Sequence, residues 1–533
     1  MNEQKERPGQ RYVRVGEQNL SNLDHVDWSK APRTFKLYRN CPQIALGYAG
    51  WTDGPGVQQH HSPGPQEQAP TRAQIGQFLF HIYGITRQCR VTSDALRLTG
   101  GAIVRADPAT PFLSFLRRPV PAGGGLFPCE IYILVGSDQN LPAGVYHYDA
   151  IHHALDILRV GDYTPLLQTC LTRCVERAPN LALVLSCSFW KSGYKYIDFS
   201  YRLHSLDAGV VIGQSLLLAN DEAWEPTVHF RYLDRQVNHL LGLNDAYESV
   251  YAILSLHTRS AASQEQAVLP PLPIVESLHL HVEPGEDPAI SLAQWPLLAE
   301  LHAASLITTA CALKERRHLP SLAVPTSDTY VTLPRCAPLD LRSALHRRHS
   351  ALLYFQRGEI AQHQLSTLLV ESTRGYSNDL DGSNAVLQHT LLYCVINAVT
   401  GIQPGIYVYH PERHALNRLS EGDMRAALQS TLLWFSYNIW NVSLCLFPVV
   451  HYEQGFTLYG DRWYRIQNME AGILIQRLYL ASAALSLGCQ VHLGYSTRRV
   501  HELLRLPEEQ RCLAQILVGP EQQAGQYLEQ ALW

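Results

Sequence analysis

The sequence predicts a mixed α+β protein built by tandem duplication, with its two halves closing on each other as a pseudo-dimer within one chain. Three observations predict it. The chain resembles itself at a nearly constant offset. Strand-like apolar runs alternate with helices that are apolar on every side. Charge is used sparingly, at 17% of residues against about a quarter in ordinary domains.

At 533 residues the chain is too long for one ordinary core. Low charge in a chain of this size predicts surface buried between domains or subunits. The net charge is −4, and the one basic cluster, "KERRH" (Lys314–His318), reads as a solvated helix end, so a nucleic-acid footprint is excluded. The start is polar and lacks an apolar signal region. The longest apolar stretches, such as Leu181–Cys187, are too short to span a bilayer. Twelve cysteines are scattered, several inside apolar runs (Cys187, Cys394, Cys445), and Cys170 and Cys174 have no matching second pair. They read as reduced core residues of a cytoplasmic protein without structural zinc.

The repeat is visible in two places. Gly144, Tyr146, Tyr148, His153, Ala154 and Leu155 recur at Gly405, Tyr407, Tyr409, His414, Ala415 and Leu416, an offset of 261. "YRLHSLDAGVVIGQSLLLA" (Tyr201–Ala219) recurs as "YRIQNMEAGILIQRLYLAS" (Tyr464–Ser482) at an offset of 263, which also carries Tyr232 and Arg235 onto Tyr495 and Arg498. The expected organisation is an arm (1–54), copy one (55–258), a linker with a bracing helix (259–334), copy two (335–520) and a tail (521–533).

The elements follow in order. Glu130–Val135 reads as a buried strand, Gly144–Asp149 as a short strand ending in a turn, and Ala182–Phe189 as another apolar strand. The two "AG" segments read as fully buried helices, with Asp207 and Glu470 near their starts, where the dipole favours an acid. Ala262–Ala289 is rich in Pro, Glu and Gln and reads as a surface linker. In it, His279 and His281 alternate as a strand face or, less simply, a metal pair. Trp295–Cys311 reads as a helix bracing copy two.

Three glycines stand before a buried strand in "RRPVPAGGGLFPCEIY" (Arg117–Tyr132). Glycines let a backbone approach a flat ligand, though the run alone reads equally as a turn, and it is neither a phosphate-binding Walker loop nor a dinucleotide fingerprint. The run resembles the "PSGG-x-LYP-x-E-x-Y" segment of the flavin-dependent nitroreductase superfamily, in its SagB-type azoline oxidase branch. Tyr464–Gly488 resembles that family's "Y-R … E-A-G" helix, and "LHRRHSALLYF" (Leu345–Phe355) its "RRS" start. The resemblance covers roughly 55–255 and 335–520.

The resemblance implies the nitroreductase fold, whose dimers build FMN sites at the interface; a tandem copy would be that dimer fused. It assigns cofactor contacts to Arg347, Arg348 and Ser350 of copy two, to Pro121, Ala122, Gly123 and Gly124 of copy one, and to Glu470 and Gly472 of the "E-A-G" helix. Copy one offers only "QQHHS" (Gln58–Ser62) for the arginines, and copy two reads "GSNAVLQHTLLY" (Gly382–Tyr393) for the glycines, so one composite site is expected. Ala122 stands where the family has a serine. The alternative is that Arg347 and Arg348 lie on the surface of a first helix.

"GYKYIDFSYR" (193–202) contains the Lys-Tyr pair on which SagB-type oxidases place their base chemistry, so the resemblance makes Lys195 and Tyr196 catalytic. A neighbouring ammonium is expected to lower the Tyr196 pKa, and partial burial that of Lys195. The alternative is that both merely pack. The implied activity is FMN-dependent dehydrogenation of an azoline ring in a ribosomal peptide or related natural product, with a peptide or small molecule as substrate, in a monomer or homo-oligomer, alone or within a biosynthetic complex. A nitro or quinone reductase using NAD(P)H and a flavin-free scaffold are the competing readings.

Overall fold

The computed structural model describes residues 6–17, 26–27, 30–47, 70–92, 112–137, 139–172, 178–221, 224–258, 281–282, 290–314, 319–327, 329–336, 338–352, 354–433, 437–522 and 527–531. Gln58–Ser62, His279 and most of the linker lie outside them.

Each copy forms a mainly antiparallel sheet with one strand order. In copy one the order is Trp224–His229, Glu248–Thr258, Leu181–Ser188, Cys129–Val135, Gly144–Asp149, Ala154–Val160 and, from the arm, Gln43–Ala45. In copy two it is Gly488–His492, Gln515–Gly519, Leu444–His451, Leu391–Ile396, Gly405–His410, Ala415–Glu421 and Tyr330–Thr332. Registers also correspond: Tyr132 faces Val184 as Tyr393 faces Phe447. The central strands Cys129–Val135 and Leu181–Ser188 are buried almost throughout, which is why they are continuous apolar runs rather than alternating ones.

The two long helices, Ser200–Asp221 and Arg462–Ala484, pack on each other and form the seam. They cross where neither has a side chain. A Cβ on Gly472 would lie 2.2 Å from the Leu206 carbonyl oxygen, and one on Gly209 would lie 2.0 Å from that of Met469. Asp207 and Glu470 therefore lie in the third turn of their helices rather than near the start, beyond the reach of the terminal dipole.

The "YR" arginines bolt the copies together. Arg465 donates across the seam to the Tyr232 hydroxyl (3.4 Å) and to Asp234 (2.9 Å). Arg202 donates to the Tyr495 hydroxyl (3.3 Å) and the Leu513 carbonyl (2.6 Å). Their counter-ions differ. Asp234 also takes Arg462 at 2.6 Å, whereas its counterpart is Thr497, and Arg202 instead meets Glu17 of the arm at 3.4 Å.

The repeat extends into the arm. Helix Pro8–Val15 followed by strand Gln43–Ala45 corresponds to helix Pro296–Ser305 followed by strand Tyr330–Thr332, and both helices open on proline. Each strand joins its own copy, but the helices are exchanged. Gly9 N–H donates to Asp461 of copy two (2.7 Å), and Leu298 N–H donates to the corresponding Asp198 of copy one (2.9 Å). Trp295 covers Gly193, and Ser305 receives the Tyr201 hydroxyl. The helix expected to brace copy two bridges both copies: its Ser305 carbonyl accepts from Arg462 of copy two (3.0 Å), while Asp198 and Tyr201 of copy one also bond to it. The tail strand Tyr527–Ala531 pairs with Arg87–Thr92 of copy one. Among the described residues no helix is long and apolar enough to cross a membrane.

Gly472→Ala is expected to cost at least about 2 kcal/mol in urea unfolding, since backbone must move to admit a methyl group. Asp234→Asn leaves Arg462 and Arg465 facing each other in a buried site and is expected to cost about 3–5 kcal/mol. A loss below about 1 kcal/mol in either would contradict this account of the seam.

Candidate active site

The stretch 193–202 folds as the end of helix Phe189–Tyr196, a tight turn Ile197–Phe199, and the start of the seam helix. Ile197 sits at φ 44°, ψ −134°, a costly conformation for a β-branched residue, and its counterpart Gly460 adopts φ 63°, ψ −159° without that penalty. The turn delivers the last two residues of the helix to the glycine loop.

Gly124 (φ 63°) and Gly125 (φ 69°) take left-handed backbone, and Gly123 N–H donates to both Asp207 oxygens (3.0 and 3.2 Å). A Cβ on Gly124 would lie 2.5 Å from the Tyr196 hydroxyl and 3.2 Å from Lys195 Nζ. The amine and phenol therefore converge over Gly124, where a side chain would clash with both. Lys195 Nζ is 5.0 Å from the centroid of the Tyr196 ring. Pro121 and Ala122 are half-buried at the entrance to the loop.

The electrostatics differ from expectation. Burial, followed by the Asp207 and Tyr194 charges, pushes the Tyr196 phenol well above its ordinary range, so the lysine does not lower it. Burial lowers Lys195. Asp207 is pushed up to about 8 by burial, against the Gly123 hydrogen bond. Burial thus disfavours charge on both the amine and the phenol, and the Asp207 carboxyl keeps its proton near neutrality.

The helix carrying Lys195 is anchored by a buried ionic network. Lys191 Nζ meets Glu130 at 2.5 Å, His147 lies 3.4 Å from Glu130 and 2.8 Å from Asp156, and Lys36 meets Glu248 at 2.7 Å. Burial opposes ionisation of Glu130, yet Lys191 and His147 hold its carboxyl below the usual range. Copy two has Leu391, Gln454, Val408, Asn417 and Arg511 at the positions of Glu130, Lys191, His147, Asp156 and Glu248, and Leu458-Tyr459 in place of Lys195-Tyr196. Tyr459 there stacks on Trp463, with ring centroids 5.3 Å apart.

Copy two contributes Arg348. It is buried, donates to the Arg118 carbonyl (3.3 Å) and lies 5.6 Å from the Tyr479 ring, while its own carbonyl accepts from Arg87. Arg118 and Arg117 lead into the glycine loop, and Arg117 Nη1 would lie 3.6 Å from a Cβ on Gly125. Ser350 Oγ is 3.2 Å from the Tyr479 hydroxyl. Arg87, Arg117 and Arg118 escaped sequence reasoning, although an "RR" ending five residues before the first glycine was the available signal for two of them.

Three expected contacts lie elsewhere. Arg347 is exposed and donates to Ser343 of its own helix (3.3 Å). Gly472 is spent in the helix crossing. Glu470 takes the Thr390 hydroxyl, as Asp207 takes Gly123, and so belongs to the equivalent place in copy two. The residues brought together suit a flavin: the bare glycine backbone admits a flat ring, and the arginines suit a phosphate dianion.

This architecture is the nitroreductase fold: a solved structure from Anabaena variabilis assigned as a nitroreductase superposes with a TM-score of 0.73 and 21% identity over 97% of this chain and 100% of that one. Residues 383–520, in copy two, match the nitroreductase family. Among curated relatives, the trifolitoxin-processing protein TfxB of Rhizobium leguminosarum is 30% identical over 148 residues, 27% of this chain and 40% of TfxB. A Methanocaldococcus jannaschii protein assigned as a nitroreductase is 27% identical over 184 residues, 33% of this chain and 90% of that one. The microcin-processing protein McbC of Escherichia coli is 29% identical over 142 residues, 26% of this chain and 52% of McbC. The matches to the two processing proteins thus span about half their length or less.

Asp207 supplies a test. Its folded pKa of about 8 stands above the ordinary 3.8, so its contribution is fully present below pH about 4 and is lost as pH rises towards 8. In flavin-free protein, Asp207→Asn is expected to raise the free energy of unfolding in urea at pH 8, by on the order of a few kcal/mol, and not at pH 4. An equal effect at both pH values would contradict it.

Proposed function

We propose that the chain is an FMN-dependent oxidoreductase that dehydrogenates an azoline-type ring in a ribosomal peptide or related natural product. The observation that carries this reading is the meeting of Lys195 Nζ and the Tyr196 hydroxyl over Gly124, beside the seam where Arg348 enters from the other copy. Similarity to two peptide-processing proteins, TfxB and McbC, supports a peptide substrate. Arg348 and Ser350, with Arg117 and Arg118 near the loop, would hold the phosphate, and the loop Pro121–Gly124 would face the ring.

Bound FMN would supply the acceptor for the two electrons and hydrogen leaving the azoline as hydride. The rest falls to this chain. The Lys195 amine, lowered by burial, takes the proton from the ring carbon, and the Tyr196 phenol donates a hydrogen bond that orients the substrate. Asp207 holds Gly123, and burial keeps the Tyr196 phenol intact. Copy two keeps the scaffold without the amine, so one working site per chain is expected. A simple nitro or quinone reductase is the second reading, favoured by the match over 90% of the Methanocaldococcus jannaschii protein.

Purified protein is expected to absorb near 450 nm and release FMN on heating, and Arg348→Ala to weaken that binding. Lys195→Ala is expected to lower azoline oxidation by about 10²–10⁴-fold while flavin content holds. Colourless protein that does not take up FMN would leave the flavin-free scaffold; retained activity in Lys195→Ala would leave the reductase.

A further inference from the structure

The turn that ends the Lys195–Tyr196 helix is strained in one copy and relaxed in the other. Ile197 holds φ 44°, ψ −134°, a region open to glycine and costly for a β-branched residue, whereas its counterpart Gly460 sits at φ 63°, ψ −159°. A Cβ on Gly460 would meet nothing within 4 Å, so copy two has room for a side chain there and does without one. The strain falls in the copy that carries the amine–phenol pair, and the relaxed glycine in the copy with Leu458-Tyr459.

Strained backbone persists where its surroundings over-determine it, and here they come from three elements. Ile197 N–H donates to the Gly193 carbonyl, and Trp295, which opens the bracing helix Pro296–Ser305, lies over Gly193. Ser200 Oγ, at the start of the seam helix, donates to the Ile197 carbonyl (2.6 Å). The next residue, Asp198, is held from two sides. Its carboxylate accepts from Leu298 N–H (2.9 Å), and its carbonyl accepts from the Tyr12 hydroxyl of the arm (2.5 Å). Tyr12 is fully buried, edge-on to Tyr201 and Tyr464. The arm helix that seats on Asp461 of copy two thus reaches back to the turn of copy one. The reverse bond has no donor: Leu301, three residues past Leu298 as Tyr12 is three past Gly9, has no hydroxyl to offer Asp461. We infer that Ile197 and Tyr12 are positioning residues for the Lys195–Tyr196 pair. Ile197 denies the turn the alternative conformations a glycine would allow. Tyr12 ties the turn to the arm, so the pair is placed over Gly124 only when the arm helix is seated. For its effect on catalysis this rests on the reading of Lys195 as the base.

The test compares the full chain with Ile197→Gly, Tyr12→Phe and, in copy two, Gly460→Ala. Acylation of Lys195 by trace acetic anhydride is followed against pH by mass spectrometry, and kcat and KM are measured on an azoline-containing peptide. In the unaltered chain Lys195 is expected to titrate below the ordinary lysine range, because burial opposes its charge. Ile197→Gly and Tyr12→Phe free the helix end and admit water to the amine. Each should move that titration up towards 10.5 and lower kcat at least about threefold, with KM and FMN content held. Tyr12→Phe removes a single hydroxyl and keeps the packed ring, so it reports on the turn even if Ile197→Gly folds poorly. Gly460→Ala forces strain into copy two and should lower the melting temperature while leaving Lys195 and kcat unchanged. A variant that leaves the Lys195 titration unmoved overturns the assignment of its residue, and an equal shift in Gly460→Ala overturns both, since stability alone would then explain it. The acylation needs neither azoline nor turnover. A shifted titration in a protein that oxidises no azoline therefore supports the positioning role and sinks the proposed reaction, and an unmoved one in an active enzyme does the reverse.

Discussion

The molecule depends on two helices crossing at bare backbone. Gly209 and Gly472 each meet the main chain of the other helix, and no larger residue fits there without displacing it. That contact sets how closely the halves approach. Closeness then lets Arg202 and Arg465 reach tyrosines across the seam and brings Arg348 of copy two against the Arg118 carbonyl of copy one. An ångström of separation would disengage all three, because hydrogen bonds near 3 Å weaken steeply with distance.

Symmetry in the scaffold and asymmetry in the chemistry have one explanation. Copy one keeps Glu130, Lys191, His147, Asp156 and Glu248, a set of buried ionisable groups affordable only when complete, since one missing partner strands a charge. Copy two has neutral residues at four of these positions and Arg511 at the fifth. The network anchors the helix that ends in Lys195 and Tyr196, so its restriction to copy one matches the restriction of the amine–phenol pair.

Much of this was legible in the sequence, for identifiable reasons. The duplication showed because both seam helices must be buried all round, which holds "YR" and "AG" at one spacing. The central strands showed because burial on two faces makes them unbroken apolar runs. The family resemblance singled out Lys195, Tyr196 and the glycine loop, but not that the pair would meet over Gly124. What stayed hidden depends on distance in space. The local sequence suggested a lysine lowering a phenol, but Asp207, eleven residues on from Tyr196, arrives by way of the seam helix and, with burial, reverses the sign. Gly472 looked like a ligand contact because a motif glycine does not say what approaches it. The exchange of the arm helices left only a shared opening proline in the sequence.

That exchange bears on how the chain comes into being. Pro8–Val15 is made long before the aspartate that receives it, Asp461, which is more than four hundred residues downstream. That helix cannot meet Asp461 until copy two is made, while Pro296–Ser305 finds Asp198 already made. Closure of the molecule is therefore a late event driven from the front of the chain, and neither half severed from the other would carry its own clasp.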